Sequence, residues 1–171
     1  MTTPFGLDLS LTSTGFCSDS QNAAICSKQK GMPRLAEIRD RVLERVQETE
    51  GPVIIVEGYS FGSKNSQAHA TGELGGVVRL SLYEASIPFI EVPPTCLKKF
   101  ATGKGNASKN EVISAMSAKT GIVWSGSSAD DMCDAFVLRE MALTQLGLSQ
   151  YKWNAVNLEG LSKVDWTNLI K

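Results

Sequence analysis

Histidine is nearly absent from this 171-residue chain, which carries only His69. The cysteines Cys17, Cys26, Cys96 and Cys133 form no CxxC pair and lie near no histidine cluster. Both facts argue against a zinc site and predict buried, reduced thiols. No apolar run approaches the roughly 20 residues a membrane-spanning helix needs. The opening Met1–Phe5 lacks the basic start and apolar stretch of a secretory signal, so a cytoplasmic location is expected. There is no excess of positive charge: 17 Lys and Arg stand against 18 Asp and Glu. Any nucleic-acid contact must then rest on local positive charge, with bound metal offsetting the acids. Repeats and low-complexity segments are missing too. What remains is the composition of one soluble globular domain.

The hydrophobic pattern divides that domain. Phe5, Leu7, Leu9 and Leu11 alternate with small or polar residues, which predicts a strand over 4–11. Thr14–Ser18 and Ala23–Ser27 flank a polar turn and read as a hairpin. Leu35, Ile38, Val42 and Val46 recur at helical spacing over Pro33–Glu50. Val53–Val56 is apolar on both faces, as in a central strand. A polar loop (59–70), a helix over Thr71–Ser86 and a strand at Phe89–Val92 follow. Ser108 and Glu111 form a capping box for a helix reaching Lys119, and Ser128 opens a last long helix to Leu146. This order implies an α/β fold with a mixed sheet covered on both faces. Residues 1–148 are read as the domain, and 149–171 as a C-terminal tail packed on it or on a partner.

Four carboxylates sit where carboxylates are disfavoured. Asp8 lies mid-strand, on the face opposite Leu7 and Leu9. Gly6 shares that face and would let a ligand approach the backbone. Glu57 ends an apolar strand, where ligands of α/β sheets commonly bind. Asp131 and Asp134 share one helix face with Leu138 and Met141, which turns them toward the body. Helix capping explains Asp130 well and Asp131 in part, but not Asp134. Gathered together, these acids must bind protons or divalent cations. Oxygen-only ligands favour Mg²⁺ or Mn²⁺, and two such ions suit in-line phosphoryl displacement.

Val92–Asn110 contains no acidic residue but holds Lys98, Lys99, Lys104 and Lys109 around two glycines. Such a stretch suits a phosphate backbone. Lys109, in a first helical turn, opposes the helix dipole and needs an anionic partner. Tyr59 and Phe61 follow Glu57 and are candidates for stacking on unpaired bases, though at least one should pack on the core.

Five segments, GLDLSLTSTGF (6–16), IIVEGYSFG (54–62), TGELGGVV (71–78), VPPTCLKKFATGKGNASKNEV (92–112) and ADDMCDAFVL (129–138), together resemble the RuvC-like Holliday-junction resolvases. The chain's compactness is similar to that of phage-encoded members, which would place it in a host cytoplasm. The resemblance implies an RNase H-like fold with a five-stranded sheet, a homodimer, and two-metal cleavage of four-way DNA junctions leaving 5′-phosphate and 3′-hydroxyl ends. It assigns catalysis and metal binding to Asp8, Glu57, Asp131 and Asp134. Lys98 and Lys109 match the family's basic pair, and Tyr59 or Phe61 its base-contacting aromatic. Departures are the pI of about 5.9, the extra acid Asp130, the loop after Glu57 and the tail. They bear on substrate preference more than on chemistry. The alternatives are a broader nuclease for forks and flaps, or a junction-binding protein without activity. An exonuclease of the D-x-E type is disfavoured because Leu9 and Ser10 follow Asp8, and an actin-like ATPase needs two such domains.

Overall fold

A computed structural model describes residues 1–59 and 66–169, without the side chains of Ser66 and Gln67. Its core is a five-stranded mixed sheet in the order β3-β2-β1-β4-β5. Strands β1 (Thr3–Asp8), β2 (Thr14–Cys17) and β3 (Asn22–Ile25) form an antiparallel meander. Strands β4 (Pro52–Glu57) and β5 (Phe89–Val92) extend it in parallel from β1. The mixed sheet covered on both faces is thus as expected.

Strand periodicity of two sorts the core into two layers. Phe5, Leu7, Ile54 and Val56 face α1 (Gly31–Val46) and α2 (Ser66–Glu84). Val53, Ile55, Ile90 and Val92 face the other layer: α3 (Pro94–Thr102), α4 (Lys109–Thr120) and α5 (Ala129–Gln145). Asp8, out of phase with Leu7, therefore belongs to the α5 side.

Glycine fixes how closely α5 approaches. A Cβ at Gly6 would lie 1.8 Å from the Ala135 carbonyl oxygen, and one at Gly15 1.9 Å from that of Asp131. The space at Gly6 is filled by this helix backbone rather than left for a ligand. Since Gly15 pairs with Asp8 across β1–β2, the start of α5 is seated directly beside Asp8.

Several boundaries differ from the sequence reading. The first strand stops at Asp8 rather than residue 11. There the Thr14 hydroxyl donates to the Ser10 carbonyl at 2.7 Å and accepts from the Ser10 amide at 3.2 Å, closing a turn instead of extending a ladder. Helix α1 spans Gly31–Val46, and α2 starts at Ser66, not Thr71. The lysine-bearing stretch Val92–Asn110, whose glycines suggest a loop, contains the helix α3 over Pro94–Thr102, with Cys96, Leu97, Phe100 and Ala101 buried and Gly103 ending it at φ 81°. Proline at the first helical turn disguises this start, since its missing N–H is no loss there. The capping box forms as expected: Ser108 Oγ accepts from the Glu111 amide at 3.3 Å, and Glu111 accepts from the Ser108 amide at 2.7 Å. Ser128 occupies the cap position of α5 but makes no side-chain capping bond. All four thiols are free, and Cys26, expected to be buried, is exposed at the end of β3.

The chain beyond α5 lies against α3 and α5. Trp153 stacks 4.1 Å from Phe100, Asn157 Nδ2 donates to the Phe100 carbonyl at 2.7 Å, and Glu140 accepts from Ser149 and Trp153. The short α6 (Ala155–Leu158) and the turn Glu159–Leu161 follow, with Gly160 tight against Cys96 and Phe100. Among the described residues no helix is long and apolar enough to cross a membrane.

Candidate active site

Three elements deliver carboxylates to one point. Asp8 ends β1, Glu57 ends the parallel neighbour β4, and Asp134 lies one turn into α5, which the two glycines press against the sheet. Ligand oxygens of these three residues all lie within 4.8 Å of one another. They line an open cleft of about 520 Å³ together with Asp131, Lys98, Lys109 and Tyr59. Asp131 borders the cleft but is not one of the close trio.

Burial and crowding raise these acids. Burial pushes Asp8 well above the usual carboxylate range, and the charges of Glu57, Asp134 and Asp131 push it further. Glu57 is raised by burial, against the pull of Lys98 and Lys109. Asp134 is pushed up to about 7 by burial, then by Glu57. Asp131 is raised by burial and by its neighbour Asp130. Like charges at this separation need protons or cations. The donor set is all oxygen and partly open to solvent, which fits a hard divalent cation such as Mg²⁺ or Mn²⁺.

The basic residues divide by location. Lys98 and Lys109 line the acidic cleft. The partner that Lys109 requires is Asp130: they form a short ion pair, and that hydrogen bond raises the Lys109 pKa. Burial pushes Asp130 up, but Lys109 outweighs it and leaves Asp130 lowered. Lys99 does not line the cleft and pairs with Glu159 of the tail at 2.9 Å. Lys104 stays exposed beyond α3, with Glu111 at 3.8 Å.

Tyr59 lines the cleft, with Arg79 of α2 4.5 Å over its ring. Phe61 lies outside the described residues. Arg79 is a residue the sequence reading missed. It donates to the Glu57 carbonyl at 3.2 Å, to Glu91 at 2.8 Å and to the Tyr59 hydroxyl at 3.3 Å. Its one sequence signal is a cation between the apolar positions Val78 and Leu82 of a helix.

The family model described as "Crossover junction endodeoxyribonuclease RuvC" matches residues 6–144. Among similar curated proteins, the crossover junction endodeoxyribonuclease RuvC of Sorangium cellulosum is 33% identical over 85 residues, half of this chain and 48% of that protein. The one from Carboxydothermus hydrogenoformans is 29% identical over 114 residues, 67% of this chain and 72% of that protein. Among solved structures, Thermus thermophilus RuvC in complex with a Holliday junction substrate aligns with a TM-score of 0.67 at 20% identity, covering 89% of this chain and 100% of that one. A second Thermus thermophilus RuvC structure gives a TM-score of 0.65 at 22% identity, covering 88% and 100%. The fold is therefore RNase H-like, as the sequence resemblance implied.

Proposed function

The chain belongs to the RuvC family of crossover junction endodeoxyribonucleases, and from that premise we propose that it is a metal-dependent endonuclease resolving four-way DNA junctions. The observation that carries this reading is the convergence of Asp8, Glu57 and Asp134 within 4.8 Å at the floor of a lysine-rimmed cleft. Asp8, Glu57, Asp134 and the nearby Asp131 would hold Mg²⁺ or Mn²⁺, two ions per site. When bound, these ions stabilise charge on the attacking and leaving oxygens of an in-line phosphodiester hydrolysis that yields 5′-phosphate and 3′-hydroxyl ends.

The chain's own residues supply the rest. The carboxylates fix the cleft's negative charge on rigid strand and helix ends. Lys98 and Lys109 draw the phosphate to the mouth, and Lys109 stabilises charge developing on it once it exchanges Asp130 for the phosphate. Arg79 fixes the Glu57 backbone and the Tyr59 ring, leaving the 42% exposed tyrosine as the base-stacking surface. Lys104 contacts more distant backbone. Lys99, tied to Glu159, instead braces the tail, residues 149–171, against the nuclease body, residues 1–148.

A second copy of the chain completes the resolvase. The outer side of α2 carries Leu80 and Tyr83, 57% and 76% exposed, and this apolar face suits a two-fold contact. The place of action is the cytoplasm, that of the host if the chain is phage-encoded. Replacing Asp134 by Asn tests the chemistry. It should lower junction cleavage about 100- to 1000-fold while a gel-shift assay shows junction binding retained. Cleavage surviving in D134N would refute the assignment of the metal site.

A further inference from the structure

Ser13 sits in the turn just before β2 and is 6% exposed. Its hydroxyl is one of two buried side-chain polar atoms without a formed hydrogen bond among the described residues. Its neighbours show where it points. Thr14 turns its hydroxyl back onto Ser10, and Gly15 packs against the Asp131 carbonyl of α5. Ser13, two residues before Gly15, is thereby carried to the start of α5, beside Asp131. The hydroxyl also acts to lower the Asp131 pKa, against the burial that raises it.

A buried hydroxyl that lacks a full partner is unfavourable, and Ala or Val would occupy the position without that cost. Its natural acceptor is the carboxylate that borders the cleft but stands outside the close trio. We propose that Ser13 is a positioning residue for Asp131: its hydroxyl donates to one carboxylate oxygen and orients the other for a divalent cation. The inference rests on the reading of Asp131 as a metal ligand and adds the group that orients it. Groups that orient metal ligands from outside the coordination shell typically change affinity 10- to 100-fold when removed.

The test is calorimetric titration of Mn²⁺ and Mg²⁺ onto the full chain, with no DNA present. Wild type is compared with S13A, S13T, D131N and the double variant S13A/D131N, and thermal melting of each metal-free protein confirms folding. S13A should weaken cation binding by about 10-fold, and S13T, which keeps the hydroxyl, should stay within about 2-fold of wild type. S13A should melt no lower than wild type without metal. Once Asp131 is Asn, removing Ser13 should cost nothing more, because the two act as one unit. Unchanged affinity in S13A, or an added loss in the double variant over D131N, overturns the proposal. Absence of cation binding by wild type overturns the metal-site reading itself, and the role of Ser13 with it.

Discussion

Aspartate in mid-sheet is disfavoured, yet Asp8 is only 8% exposed, with two more carboxylates facing it. That position was legible because period 2 places Asp8 opposite Leu7, and it marks a site rather than a stabilising contact. Glu57 and Asp134 were legible for related reasons, one from its strand end and the other from its helix face. Arg79 and Ser13 were not, since their roles come from chain segments far apart in sequence. Lys109 is the residue proposed to stabilise charge developing on the phosphate. K109A should lower the single-turnover cleavage rate about 100-fold with a smaller loss of junction affinity, measured by quenched-flow and gel shift. Glu140 gives a separate pH test. It is 4% exposed, and burial raises its pKa despite hydrogen bonds from Ser149 and Trp153. A raised carboxyl lends stability that is complete below its ordinary pKa and is lost as pH climbs through the folded value. E140Q keeps an acceptor for Ser149 and Trp153 but has no charge to bury. The melting temperature of E140Q minus that of wild type should therefore grow from near zero at about pH 4 to a positive value at about pH 8, read by calorimetry.

Among elements, α5 decides the site. Its first turns carry Asp131 and Asp134, and its seat on the sheet exists because Gly6 and Gly15 have no side chains. G15A would place a methyl 1.9 Å from the Asp131 oxygen, so the helix must retreat. A loss of about 1–3 kcal/mol is expected from such overpacking, together with loss of cleavage, measured by denaturant unfolding and junction assay. Helices with explicit start signals were readable: the capping box of α4 formed as the sequence implied. Helix α3 was hidden, because its lysines and flanking glycines mimic a loop while its apolar residues cover barely two turns. The end of β1 was hidden as well, since Leu9 and Leu11 continue the alternation that the Thr14–Ser10 bonds interrupt.

For the whole molecule, the near-neutral charge of −1 hides a strongly divided surface. Acids are sunk in the cleft, while Lys98 and Lys109 stand at its mouth and Lys104 lies beyond it, so local charge serves where net charge does not. The order of strands and helices made the mixed sheet legible, and five segments in register made the family legible. The proposed association of two copies is not something periodicity could carry, because an exposed apolar side of α2 has the same pattern whether it meets water or a partner. Junction resolution requires both a working cleft and two of them in symmetric array. The most direct measurement is cleavage of end-labelled four-way, forked, flapped and linear duplex DNA, with Mg²⁺ and with EDTA. Paired, symmetric nicks are expected in the four-way junction, dependent on Mg²⁺ and absent in EDTA. Unpaired cuts spread over every branched form, or tight junction binding with no cleavage under any divalent metal, would overturn the assignment as a junction resolvase.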